Sequence, residues 1–464
     1  MAIKDNNKLL QGSVLATIWR NSQPMFIAIV MLLMYELLES GLIALQSAQV
    51  LTAFGFTVPI TAAMTALAVG TSIRCNNKVV KSSCNQHICT SKTTSQCLWG
   101  SGIILLILSL LALTFSQQIL ALLGSNDWLL TEAGASGNDI ARQQSDYINS
   151  RYLAWIFLGI IWQVNATLRA LNHTKLASNI MVIWLAFKSF LALLLLYPAS
   201  TFYVDGLFSL AMVHIVADST FALISLYCLH KKIKLQLLSY PELMNNLKQT
   251  RLAGILVIGQ QLVTPISLAL LTMLAASFNH AYVAAFALIF KIEAMLLIIP
   301  MVLTTSMPAI IGINYWSGKY ERVQQAYRHM FRIIISAQVL IAVLLAFTLD
   351  FWASSLCPHD SVSIHLKHYL TWLPWGYVGG ACAMVYQSTL NAKDNVISAT
   401  VLGVTHRLLL LMPLAWLGLN LGEYQLYPAM MISHLLIAAL VWVLVKKVNS
   451  SLSKDVMLKA QMSV

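Results

Sequence analysis

The sequence predicts an all-α integral membrane protein, with twelve transmembrane helices in two pseudo-symmetric six-helix bundles. Three observations carry this expectation. Of the 464 residues, 58% are hydrophobic and 10% are charged, with a mean hydropathy of +0.73; a soluble domain carries about 25% charged residues. Apolar segments recur along the whole chain, each long enough to cross a hydrocarbon layer about 30 Å thick. The segments are continuously apolar rather than alternating, which fits helices that satisfy their own backbone and not barrel strands. A water-soluble enzyme, a disordered tail and a nucleic-acid-binding domain are all excluded by this composition.

The spans fall in order at 22–45, 50–73, 97–118, 147–168, 176–198 and 206–229, then 252–278, 282–311, 332–356, 369–390, 397–419 and 425–445. With both termini in the cytoplasm, the inner segments hold 23 of the 29 Lys and Arg residues, whereas the outer segments hold Arg142, Arg151 and Lys367. That bias is the positive-inside rule. It accounts for the formal net charge of +12 without a nucleic-acid partner. An odd number of spans would scramble it. No cleavable signal peptide is expected, since the opening MAIKDNNKLL is polar and the first apolar run is long enough to span.

The chain divides at a polar stretch, giving an N-lobe at 1–235, a linker at 236–251 and a C-lobe at 252–464. Weak internal similarity crosses the divide: LNHTKLASNIMVIWLAFKSFLALLLLYP from Leu171 matches LNAKDNVISATVLGVTHRLLLLMP from Leu390. In each, a cation follows the Asn by 16 residues, Lys188 after Asn172 and Arg407 after Asn391. Ala53-Phe54 likewise matches Ala285-Phe286. A parallel repeat of this kind lets transporters hold a cavity where the halves meet.

Ionisable residues inside spans are costly and mark candidate function. Those singled out as lying deep within a span are Glu36, Glu39, Lys188, His214, Asp218, Lys291, Glu293 and Arg407. Glu39 carries the most weight, as a carboxylate poised to exchange a proton when its partner or solvent access changes; its structural alternative is a fixed ion pair with Lys188. His214 and Asp218 lie four apart on one helical face and suit a proton relay. Glu36, Glu293, Lys291, Arg407 and Trp184 are expected to line a substrate cavity, Trp184 as a stacking surface for flat ligands. Pro59, Pro265, Pro300, Pro308, Pro374 and Pro413 interrupt spans and serve as kinks or hinges.

Catalytic chemistry is missing. The stretch Gly312-Ile-Asn-Tyr-Trp-Ser-Gly318-Lys319 has the wrong spacing for a phosphate loop. There is no His-Glu-x-x-His and no Gly-x-Ser-x-Gly. Cys75, Cys84, Cys89 and Cys97 cluster on the cytoplasmic side with His87, but the Cys84-x4-Cys89 spacing is not a zinc pattern. No metal, no cofactor and no enzymatic activity are expected, so uphill work must draw on an ion gradient.

Three stretches resemble the MATE (multidrug and toxic compound extrusion) transporters, and most of all their DNA-damage-inducible (DinF-like) branch. They are MLLMYELLESGLIALQSAQVLTAFGFTVPI, FALIFKIEAMLLIIPMVLTTSMPAIIGINYWSGKYERV and VTHRLLLLMPLAWLG. The resemblance implies a V-shaped, two-lobed antiporter of the wider MOP superfamily. Such a protein exports cationic, often aromatic compounds in exchange for protons or sodium. By position, Glu39 stands where the family has a first-helix aspartate, and Glu293 where the branch has an eighth-helix glutamate. The family's Asn and Asp-Pro of the fifth helix are replaced here by Lys188-Ser-Phe-Leu. Lys188 would repel sodium, so the expectation is proton coupling through a Glu39–Lys188 pair, with His214 and Asp218 assisting. Sodium coupling and a lipid-linked saccharide or lipid flippase are the alternatives. The expected setting is the bacterial inner membrane, with small-molecule substrates, the bilayer as partner and a working monomer.

Overall fold

A computed structural model describes residues 12–44, 48–84, 90–122, 137–204, 206–236, 292–356, 360–422 and 424–461, with the short pieces 256–257, 259–271, 273–274 and 289–290. Lys291, His87, Cys89 and nearly all of the 236–251 linker lie outside the described residues. The helices are α1 (Val14–Ala44), α2 (Ala48–Cys84), α3 (Thr90–Thr114), α4 (Ser116–Leu122), α5 (Gly137–Ala170), α6 (Thr174–Leu196) and α7 (Leu207–Lys232). They continue as α8 (Ile298–Trp316), α9 (Tyr320–Leu356), α10 (Asp360–Ala392), α11 (Val396–Val404), a π-helical segment (Thr405–Leu411), α12 (Met412–Leu421) and α13 (Leu426–Gln461). No strand occurs among the described residues. Ten helical stretches among them are long and apolar enough to cross a membrane.

Several helices outrun the apolar runs that announced them. α5 starts at Gly137 rather than near 147, so much of the expected outer loop is helical. Its first turns are polar but favour helix, with Asp139 complementing the positive helix start and Arg142 reaching Asp146 at 3.8 Å. Hydropathy reports the part that lies in lipid, not the full helix. Pro24, Pro59, Pro308 and Pro374 all sit inside continuous helices.

The chain forms two compact units, Ile27–Ile258 and Met1–Phe26 with Gly259–Val464. In the first, α5 is the hub, packed by α2, α3, α6 and α7. Tyr147, Tyr152, Trp155, Trp184 and Leu185 form the centre of its core. Gln144 and Trp155 of α5 donate to the carbonyls of Ala53 and Met64 on α2, at 2.7 and 2.9 Å. In the second unit α10 is the hub, packed by α8, α9, α11 and α13. Lipid tails are as apolar as Leu, so close packing rather than water expulsion must hold such helices together. Gly376 and Gly379 supply it here: a Cβ on Gly379 would lie 1.9 Å from the carbonyl oxygen of His434 on α13.

The two hubs end alike. Asn165 of α5 donates to the carbonyl of Ala177 on α6 at 2.8 Å, and Gln387 of α10 donates to that of Ala399 on α11 at 3.0 Å. Asn172 and Asp394, in the intervening turns, both adopt left-handed backbone, at φ 63° and 64°, a conformation that Asn and Asp tolerate best among the side-chain-bearing residues. All three equivalences share one offset of 222 residues (165 to 387, 172 to 394, 177 to 399). This register differs by about one helical turn from the pairing of Leu171 with Leu390. Lys188 and Arg407 are therefore not equivalent; Arg407 lies about one turn earlier in its helix. The clamp also gives Asn165, part of an apparent glycosylation sequon, a buried role.

Candidate functional site

Four helices of the 27–258 unit each contribute two residues spaced four apart, a ring followed by a charge. α1 supplies Tyr35 and Glu39, α5 Tyr147 and Arg151, α6 Trp184 and Lys188, and α7 His214 and Asp218. Four-residue spacing places both members of each pair on one face. The four faces converge inside the unit, in contact through Asp218 and His214.

Asp218 is fully buried and is the hub of the charges. Its Oδ1 accepts from Lys188 Nζ at 3.1 Å and from Trp184 Nε1 at 3.0 Å. Its Oδ2 is 3.9 Å from an Arg151 guanidinium nitrogen and 4.0 Å from His214 Nδ1. These are ion contacts, longer than hydrogen bonds. Asp218 Oδ2, His214 Nδ1 and Arg151 Nε have no hydrogen-bond partner. His214 Nε2 lies 3.1 Å from Glu39 Oε1. Glu39 is the most exposed of the ionisable members, at 12%, against 3% for His214 and 0% for Asp218. The Tyr35 ring stands edge-on to His214, with centroids 6.3 Å apart, and Lys188 Nζ lies 5.1 Å above it. Two carboxylates face two cations, with one imidazole linking the carboxylates, so the cluster is neutral when His214 is neutral.

Three sequence expectations are corrected by this geometry. Lys188 pairs with Asp218, not with Glu39, whose partner is His214. Arg151 is a buried cluster member and not part of an outer loop; its signal was its place four residues after Tyr147. Trp184 is 2% exposed and holds Asp218 by its indole, so it does not offer an open stacking face. Glu36 is exposed on α1 and is not among the cluster's eight residues.

The other unit carries its own polar site. Glu293 Oε1 lies 4.0 Å from an Arg407 guanidinium nitrogen, both about one-sixth exposed, at 16% and 17%. A cleft beside them is lined by Ser267, Leu271, Phe290, Met430 and His434. Arg407 projects from the π-helical segment. At the turn between α10 and α11, outside the spans, Lys393 Nζ lies 5.2 Å from the ring centroid of Tyr327 and 6.0 Å from that of Tyr315. Burial pushes its ammonium pKa down to about 8, and Tyr315 opposes the shift. No group of three or more His, Cys, Asp or Glu residues among the described residues is arranged to hold a metal.

Residues 257–417 match the MatE family model. The helical arrangement matches a Vibrio cholerae MATE transporter, VcmN, with a TM-score of 0.85 at 19% identity, over 97% of this chain and 98% of that one. The chain carries a MatE domain on the MATE transporter fold. A MOP superfamily transporter from Pyrococcus furiosus has the same fold, at TM-score 0.82 and 17% identity, over 96% and 98% of the two chains. In sequence, the MATE-fold chain is 24% identical to a Shewanella oneidensis protein named FAD transporter, over 96% of this chain and 97% of that one. The matched family and these relatives are transporters rather than enzymes, and the ten long apolar helices among the described residues fit a multi-pass membrane protein.

Proposed function

We propose that the chain is a proton-coupled antiporter. It exports organic, amphipathic and cationic compounds from the cytoplasm across the inner membrane by alternating access, as a monomer with both termini cytoplasmic. The observation that supports this best is the neutral buried cluster whose most accessible ionisable member is Glu39. A proton on Glu39 leaves Lys188 and Arg151 facing Asp218 alone, so the cluster becomes net positive. A cation held about 10 Å away, at an effective dielectric of about 20, would then be repelled by about 1.7 kcal/mol, or about 17-fold in affinity. Proton and cationic cargo thus weaken one another, and by linkage the effect is reciprocal.

His214 gives the proton its second consequence. A neutral imidazole donating Nε2–H to ionised Glu39 presents a bare Nδ1 to Asp218. When Glu39 is protonated it no longer needs that donor, and the opposite tautomer, with Nδ1–H toward Asp218 Oδ2, is favoured. The Asp218 contacts to Arg151 then compete with a new hydrogen bond. A change of protonation on α1 becomes a change of pairing between α5, α6 and α7. Lys188 among the carboxylates disfavours sodium, which wants several oxygen ligands and no neighbouring cation.

The test is drug-stimulated proton movement in proteoliposomes, using ethidium as the probe. Glu39→Gln, which leaves the cluster net positive at every pH, is expected to bind ethidium about 17-fold more weakly and to abolish proton movement. Proton movement that persists at the wild-type rate in Glu39→Gln would overturn the assignment. A second reading, export of a flavin dinucleotide, is favoured by the relative named FAD transporter. Its signature would be counterflow of FAD, and not of ethidium, by the same vesicles.

A further inference from the structure

The second unit holds two imidazoles that the coupling scheme leaves unused. His406 Nε2 and His434 Nδ1 are hydrogen-bonded at 2.9 Å, with ring centroids 4.9 Å apart. Both are buried, at 6% and 3% exposure. The fold is shaped around them. His406 lies in the π-helical segment, a rare winding that is frequent at functional sites. His434 faces Gly380 of α10, where a Cβ would stand 2.8 Å from His434 Nδ1 and 3.6 Å from His406 Cε1. A side chain there would press on the shared hydrogen bond, and glycine leaves it room.

The pair is not isolated. His434 lines the cleft that also holds Glu293 and Arg407. The titratable and charged groups around it are Glu293, Arg407 beside His406, Tyr377 of α10 with its ring 5.7 Å from His434, and Tyr369, bonded to Tyr377 at 2.7 Å. Tyr427 of α13 packs edge-on to Tyr369. Helix packing alone would be served as well by two apolar side chains, at no desolvation cost.

We infer that His406 and His434 form a proton relay of the second unit, fed from the cleft that holds Glu293. Its purpose rests on the antiport reading, but its existence does not. In one tautomer pair, His434 donates Nδ1–H to His406 Nε2, and His406 carries its own proton on Nδ1. A proton from cleft water or from the Glu293 carboxyl binds His434 Nε2. The Nδ1 proton passes along the hydrogen bond to His406 Nε2, and His406 releases the proton on its Nδ1. One proton enters, one leaves, and the hydrogen bond has reversed direction. A ring turnover of either imidazole, or return of a proton, resets the pair.

The experiment is nitrogen NMR of full-length protein labelled with 15N-histidine in phospholipid nanodiscs, with His406→Gln and His434→Gln used to assign the rings. The four ring nitrogens are expected to read between the protonated and bare values, because both tautomer pairs exchange. Glu293→Gln is expected to shift those populations. A single fixed tautomer at every pH between about 5 and about 8 overturns the relay. So does exchange that Glu293→Gln leaves unmoved. Exchange in a protein whose vesicles move no protons with ethidium would overturn the antiport reading and leave the relay standing. A fixed tautomer in a protein that does couple would do the reverse.

Discussion

Neutralising Asp218 tests the idea that one buried carboxylate holds three helices together. In Asp218→Asn, two cations keep their places while their shared partner loses its charge. At an effective dielectric of about 20, unit charges 3.1 Å and 3.9 Å apart attract by about 5 and about 4 kcal/mol. Asn is easier to bury than a carboxylate, and its carbonyl can still accept from Trp184 or Lys188, so much of that attraction is not lost net. Breaking a buried pair by removing one charge costs about 3–5 kcal/mol, and that is the expected loss. The assay is reversible SDS-induced unfolding of the purified protein in mixed micelles. Adding Lys188→Met to Asp218→Asn removes the stranded ammonium, restores a balance of one carboxylate to one cation, and is expected to recover at least half of the loss. A loss below about 1 kcal/mol in Asp218→Asn would refute the reasoning. So would a double variant no more stable than the sum of the two single changes predicts.

Glycine positions give a paired control: Gly379→Ala puts a Cβ 1.9 Å from the His434 carbonyl oxygen and is expected to cost about 3 kcal/mol or more, whereas Gly102→Ala meets nothing within 4 Å and should stabilise by about 0.5–1 kcal/mol in the same unfolding assay. Lys393 predicts a slope with pH. Its folded pKa of about 8 lies below the ordinary value near 10.4, so in that window the unfolded chain binds more protons and stability rises with pH. The cost is fully present below about pH 8 and gone above about pH 10.4; Lys393→Met should flatten that rise.

Much of this was legible in the sequence. Spans of about twenty apolar residues follow from the bilayer as solvent, and charged residues within spans singled out Glu39, Lys188, His214 and Asp218. Partner choice was not legible. Whether Lys188 faces Asp218 or Glu39 depends on how α6 and α7 are rotated about their axes, which hydropathy does not encode. Arg151 escaped because its neighbourhood is polar, and a polar flank reads as a loop until the four-residue spacing from Tyr147 is set beside the like spacings of Tyr35, Trp184 and His214. The repeat was visible, but its register was set by the Asn165 and Gln387 clamps and not by the more obvious Leu-Asn pairs.

Residues 405–411 wind more loosely than the helix on either side of them. Such a bulge is what a regular helix becomes when it absorbs one additional residue. The span from Val396 to Leu421 is therefore one deletion away from ordinary winding. Losing the exposed Leu409 would let this segment tighten to ordinary winding while the flanks keep nearly their present facing, because the wide turn already takes up the additional residue. His406 and Arg407 lie inside the wide turn and would be re-aimed as it tightens, so a single codon bears on the contacts to His434 and to Glu293 together.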